Sequence, residues 1–147
     1  MITEGMINQN IITSNNISDT QNTKSAPKDF TILMVDDDSE LLESFSEIFQ
    51  LAGYQVETAD GGLNAFEKFK LKSYDLIITD MRMPEGDGAF LVKNIRGQNK
   101  EVPVFCVTGY SHLTNAEMSA IGINMIFEKP CEIKQLLNSV SSTLKIS

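Results

Sequence analysis

The stretch Ile32-Leu33-Met34-Val35-Asp36-Asp37-Asp38 is an unbroken apolar run that stops abruptly in three acids. An apolar run without alternation suits a strand buried on both faces, as in a parallel sheet. Beyond it Leu41, Leu42, Phe45, Ile48, Phe49 and Ala52 recur at three- and four-residue intervals, the period of an amphipathic helix. Ser39 is placed to cap the start of that helix and Gly53 to end it.

The same succession of apolar run and helical period repeats along the rest of the chain. Strands are predicted over Phe30 to Val35, Tyr54 to Thr58, Leu76 to Thr79, Val102 to Val107 and Met125 to Phe127. Further helices are predicted over Gly62 to Leu71, Ala89 to Arg96, Thr114 to Ile121 and Ile133 to Leu144. Strands alternating with helices define parallel βαβ units, so the fold class is α/β.

Residues 1 to 28 read differently. They are rich in Asn, Ser, Thr and Gln, hold scattered Ile residues without a period, and end in Ser25-Ala26-Pro27-Lys28. This segment is expected to be a disordered N-terminal extension, with one domain over residues 29 to 147. The charges of the extension cancel, Glu4 and Asp19 against Lys24 and Lys28, so the net charge of −8 belongs to the domain. Such a balance argues against nucleic-acid binding, which relies on excess Lys and Arg. No apolar run approaches the ~20 residues of a membrane span, and no basic segment leads into an apolar stretch at the N-terminus. The expectation is a cytoplasmic protein with no membrane contact. Cys106, in an apolar run, and Cys131, after Lys129-Pro130, are then expected as free thiols.

In an open parallel sheet, ligands bind beyond the carboxyl ends of the strands. The first predicted strand is followed by Asp36-Asp37-Asp38, the third by Asp80, the fourth by Thr108-Gly109 and the fifth by Glu128-Lys129-Pro130. One such loop is unremarkable, since loops commonly carry acids and hydroxyls. Four of them delivering polar groups to one edge make a site. Clustered carboxylates repel one another, and a hard cation such as Mg2+ relieves the repulsion and accepts oxygen ligands. A carboxylate beside that cation is a competent nucleophile toward phosphorus. Lys129 supplies a positive partner for phosphoryl oxygens, and the Thr108 hydroxyl a hydrogen-bond donor.

Ile32 to Asp38, Asp75-Leu76-Ile77-Ile78-Thr79-Asp80-Met81-Arg82-Met83-Pro84, Val107-Thr108-Gly109 and Glu128-Lys129-Pro130 together resemble the receiver domains of two-component response regulators. The resemblance runs from Phe30 to the C-terminus, with the motifs in the family's order and at similar spacing. It implies a flavodoxin-like, doubly wound parallel sheet of five strands in the order 2-1-3-4-5 with five helices, and a cis peptide before Pro130. It also implies that Asp80 is the phosphoacceptor, and that Asp36, Asp37, Asp80 and the backbone carbonyl of Arg82 hold Mg2+. Thr108 and Lys129 would contact the phosphoryl group, while Arg82 and Tyr110 would control how long it survives. The implied activity is acceptance of a phosphoryl group from a sensor histidine kinase or a histidine phosphotransfer protein, followed by a change of shape or onward transfer. Such a module catalyses its own phosphorylation without being a turnover enzyme. With little chain after the last helix, output is expected through a protein target docking on the face of the fourth helix, fifth strand and fifth helix.

The pattern departs from the family at Ile126, where many receivers carry a Tyr or Phe whose ring moves with the threonine. Phe127 is one position off and is predicted to face the other way. A weak switch is expected. Two other readings compete: a receiver fold that binds partners without phosphorylation, and a haloacid-dehalogenase-type phosphatase using Asp36 and Asp38. That phosphatase motif would place a Thr at Glu40, and the chain is short for its cap. A calcium loop from Asp36 fails because Leu41 stands where its sharp turn needs Gly. His112 is the only histidine and is expected to have no role. Asp38 is expected to be a loop acid or helix cap, and the methionines core fillers.

Overall fold

A computed structural model describes residues 24–109 and 111–146. The strands are β1 (Thr31–Val35), β2 (Gln55–Ala59), β3 (Leu76–Thr79), β4 (Val104–Thr108) and β5 (Met125–Glu128). They alternate with helices α1 (Ser39–Leu51), α2 (Gly62–Leu71), α3 (Gly88–Gln98), α4 (Asn115–Ala120) and α5 (Ile133–Leu144). All strand pairs are parallel and the sheet order is β2-β1-β3-β4-β5, as the sequence pattern and the resemblance imply.

The sheet buries both faces because its central strands are apolar except at a terminal threonine in each. Leu33, Val35, Ile77, Val104 and Cys106 pack on one face against Ala65 and Phe69 of α2, Leu91, Val92 and Ile95 of α3, and Met118 of α4. Ile32, Met34, Leu76, Ile78, Phe105 and Val107 pack on the other against Phe49 of α1 and Leu136 and Val140 of α5. Ile126 and Phe127, adjacent in β5, fall on opposite faces. Ile126 packs in the first cluster and Phe127 in the second, its ring 5.6 Å from that of Phe105. Both cysteines are free thiols. Burial pushes the Cys106 thiol up to about 12, so it is inert at neutral pH.

α2 and α5 begin and end where the periodicity places them. β4 begins two residues later than its apolar run, since Val102 and Pro103 precede the ladder; the Pro103 carbonyl still accepts from the Ile77 amide at 3.0 Å. The cap of α1 is a correction. Asp38 accepts from the Leu41 amide at 3.2 Å, and Ser39 is the first helical residue. A carboxylate at that position also interacts favourably with the positive end of the helix dipole, which a hydroxyl does less well. Gly53, with φ of 104°, ends the helix as expected. Of the methionines described, Met34, Met81, Met83 and Met118 are buried, while Met125 is exposed on β5.

The expected disordered extension lies outside the described residues up to position 23. Its last residues dock on the domain: Pro27–Asp29 form a 3-10 turn, and Lys24 pairs with Asp75 at 3.0 Å. Asp75 in turn accepts from the Thr31 amide at 2.8 Å, which ties this segment to the start of β1. No helix among the described residues is long and apolar enough to cross a membrane.

Candidate functional site

β1 and β3 are neighbours with Val35 opposite Thr79, so the next residue of each strand, Asp36 and Asp80, leave the sheet side by side. β4 and β5 are paired with Thr108 opposite Glu128, which sets Lys129 just beyond the Thr108 backbone. The Lys129 amide donates to the Thr108 carbonyl at 3.0 Å. From there the long Lys129 side chain reaches back across the sheet end. Its Nζ donates to Asp36 Oδ2 at 2.8 Å and to Asp80 Oδ2 at 2.9 Å. The Lys129–Pro130 peptide is cis, as the resemblance implies.

The remaining carboxylate oxygens are held from below. Asp36 Oδ1 accepts from the Asp38 amide at 2.9 Å. Asp80 Oδ1 accepts from the Met81 amide at 2.6 Å and more distantly from Arg82 at 3.4 Å. Thr79 Oγ1 donates to the Asp80 carbonyl at 2.8 Å, fixing the backbone at that residue. Thr79 was not singled out by the sequence. Its signal was a lone hydroxyl at the end of an apolar strand, immediately before the acid.

The two buried acids share one lysine, which compensates only part of their charge. Burial raises the Asp36 pKa above its ordinary value, outweighing the hydrogen bonds from Lys129 and the Asp38 amide that favour the charged form. Burial alone would lower the Lys129 ammonium, but hydrogen bonds and charge attraction from Asp36 and Asp80 outweigh it, and its pKa is raised. Lys129 therefore stays cationic at neutral pH.

Asp37 is exposed and stands above the pair. Carboxylate oxygens of Asp36, Asp37 and Asp80 lie within 4.8 Å of one another. Three hard oxygen donors at that spacing, one of them open to solvent, suit a divalent cation that retains part of its water shell. The donor set thus fits Mg2+. Asp37 also lines an open cleft of about 480 Å³ together with Arg82, Met83, Asp87, Ser111 and His112. Thr108 is buried at the end of β4, and Arg82 is exposed at the rim. Tyr110 lies outside the described residues. Asp36, Asp37, Asp80 and Lys129 are thus drawn into one cluster, and Thr108 adjoins it through Lys129.

The comparisons with known proteins agree with this fold. The model of the response regulator receiver domain family matches residues 32–141. The chain is 35% identical over 114 residues to the transcriptional regulatory protein ZraR of Klebsiella oxytoca, an alignment covering 77% of this chain and 26% of that protein. It thus spans about a quarter of that relative's length. Among solved structures it resembles a CheY-like receiver domain protein from Methanospirillum hungatei JF-1, with a TM-score of 0.75, 27% identity and coverage of 79% of this chain and 94% of that one. It also resembles the response regulator TrrA from Thermotoga maritima, solved with Mg(2+)-BeF, with a TM-score of 0.71, 31% identity and coverage of 78% and 98%. This chain belongs to the response regulator receiver domain family of two-component systems.

Proposed function

We propose that Asp80 accepts a phosphoryl group in a Mg2+-dependent reaction, the donor being a phosphohistidine on a sensor histidine kinase or histidine phosphotransfer protein. The observation that carries this reading is Lys129 Nζ seated between Asp36 and Asp80, 2.8 and 2.9 Å from their carboxylates. An ammonium so placed holds two acids together at neutral pH and is ready to pair with an incoming phosphoryl oxygen. A carboxylate oxygen of Asp80 attacks phosphorus; the new P–O bond forms as the P–N bond of the donor breaks. The bonding pair leaves with the imidazole nitrogen, which takes up a proton.

Asp36, Asp37, Asp80 and the Arg82 carbonyl would hold the cation. Bound there, Mg2+ would neutralise charge growing on the phosphoryl oxygens. Lys129 pairs with one of those oxygens, and the Thr108 hydroxyl donates to another. Arg82, at the rim, governs the approach of water to the acyl phosphate, with Tyr110 as its proposed counterpart. TrrA, whose structure carries Mg(2+)-BeF, lends support from a relative with the same fold. We place the chain in the cytoplasm with its phosphodonor. Its signal leaves by onward transfer or through a protein target on the α4-β5-α5 face, without nucleic-acid contact by this domain. Ile126 cannot swing as a ring would, so Thr108 is left to bias that face alone and the switch is weak.

The reading is tested by incubating the protein with Mg2+ and a small phosphodonor, then with phosphorylated histidine kinases, and recording intact mass. One added phosphoryl group is expected, lost with EDTA and in Asp80→Asn. In Arg82→Ala the decay of that added mass should change rate. No adduct from any donor would favour a partner-binding module that works without phosphorylation.

A further inference from the structure

The first amides of an α-helix have no partner inside the helix. In α2 two of them are taken by the loop that follows the acceptor aspartate. The Gly62 amide donates to the Gly86 carbonyl at 2.7 Å, and the Leu63 amide donates to the Glu85 carbonyl at 3.2 Å. Glu85 and Gly86 have φ of 54° and 93°, and these two left-handed residues turn the loop back onto the helix end. Gly62 is needed there for space. A Cβ on it would stand 2.8 Å from the Gly86 carbonyl carbon and 2.9 Å from the Asp87 carbonyl oxygen, both of them backbone atoms that have no rotamer to yield. The other end of the loop closes through the Gly88 amide, which donates to the Met81 carbonyl at 3.0 Å. Arg82 lies between these two fastenings. Asp37, from the β1 side, lines one cleft with Gly61, Pro84 and Glu85, so the clamp and the acidic cluster are contiguous.

We infer that Gly62 is a positioning residue for the divalent-cation site: by admitting the Glu85 and Gly86 carbonyls to the end of α2 it fixes the loop carrying Arg82, and so couples cation affinity to the order of the α2 N-terminus. This rests on the reading of the acidic cluster as a Mg2+ site. The coupling is reciprocal, because a clamp that favours the bound state must itself be favoured by binding. Gly62 bonds to Gly86 and not to the acids themselves, so its effect passes through the loop.

The test begins with calorimetric titration of Mg2+ into the full wild-type chain. Binding is expected; its absence would remove the cation reading and this inference together. Gly62→Ala is then expected to bind Mg2+ about tenfold more weakly, the scale of outer-shell changes at metal sites, while keeping its circular dichroism spectrum. A folded Gly62→Ala with a lowered melting temperature and unchanged affinity would assign Gly62 a structural role only and overturn the inference, leaving the cation reading intact. Hydrogen exchange of the wild type decides the matter even if that variant does not fold. With Mg2+, the Gly62 and Leu63 amides should exchange several-fold more slowly, while that of Leu136 in α5 keeps its rate. Equal protection at 62 and 63 with and without Mg2+, or slowing of the same size at Leu136, would contradict the coupling.

Discussion

α3 and α4 pack on the same face of the sheet and are built very differently. α3 spans eleven residues and buries Gly88, Leu91, Val92 and Ile95. α4 spans six and buries only Met118. The start of α3 is locked under the loop that follows Asp80, with the Asp87 side chain accepting from Phe90 at 2.8 Å and the Gly88 amide bonded to Met81. α4 is secured chiefly at its ends. Thr114 and Glu117 form a capping box at the start. Beyond its last turn, Arg96 Nη2 reaches over from α3 to the Gly122 carbonyl at 2.7 Å and to Asn124 Oδ1 at 3.1 Å. The chemistry therefore stands on deeply packed elements. The face proposed for output includes an element whose displacement exposes little apolar surface and so costs little.

The sharpest way to break this contrast is to remove the charge at its centre. Lys129→Met is expected to cut phosphoryl acceptance by roughly 10²- to 10³-fold, the scale of losing one fixed electrostatic partner in a reaction centre. Mg2+ binding should not weaken, because a competing positive charge has gone. Rates from intact mass and calorimetric titration read the two effects separately, and unchanged acceptance would show that the lysine only compensates charge.

Packing is the next comparison. Ile95→Ala, at a site with no solvent exposure, should destabilise the domain by about 3 to 5 kcal/mol. Met118→Ala should cost about 2 kcal/mol, since a short helix with a single buried side chain can settle into the space. Urea unfolding of both variants measures the difference; equal losses would mean that α4 is as firmly seated as α3.

A smaller effect has the opposite sign. The raised pKa of Asp36 means its ionised form is less favourable in the fold than in the unfolded chain. The fold therefore loses stability as pH rises from about 3.8, the ordinary value for an aspartate, through the raised folded value. Asp36→Asn should accordingly be more stable than wild type at pH 7, with the gain vanishing once both states are protonated in acid. Unfolding curves across that range, taken without divalent cations, test the sign. A variant less stable at pH 7 would show that the Lys129 contact outweighs the burial of the carboxylate.

Much of this arrangement was legible in the sequence because it depends on local order. Asp36 and Thr108 follow an apolar run directly and Asp80 and Lys129 stand one residue beyond one, and strand ends in a parallel sheet converge on one edge. The bounds of α2 and α5 were legible from their apolar period. What escaped is set through space. Lys129 contacts residues 93 and 49 positions away, and whether it bridges both acids or meets one depends on the register of strands it does not belong to. The clamp between Gly62 and Gly86 escaped for the same reason, since in isolation Gly62 reads only as the start of a helix and Gly86 as a turn residue. Thr79 carries no mark distinguishing a hydroxyl that fastens the Asp80 backbone from one that merely ends a strand.

The central claim, that Asp80 is the acceptor, is tested most directly by trapping the adduct. Reducing the phosphorylated protein with borohydride converts an aspartyl phosphate to homoserine, which peptide mass spectrometry then locates in the chain. The account predicts homoserine at position 80 alone, dependent on Mg2+ during phosphorylation. Homoserine at position 36 or 37, or a phosphoryl group that resists reduction and maps to His112, would contradict it.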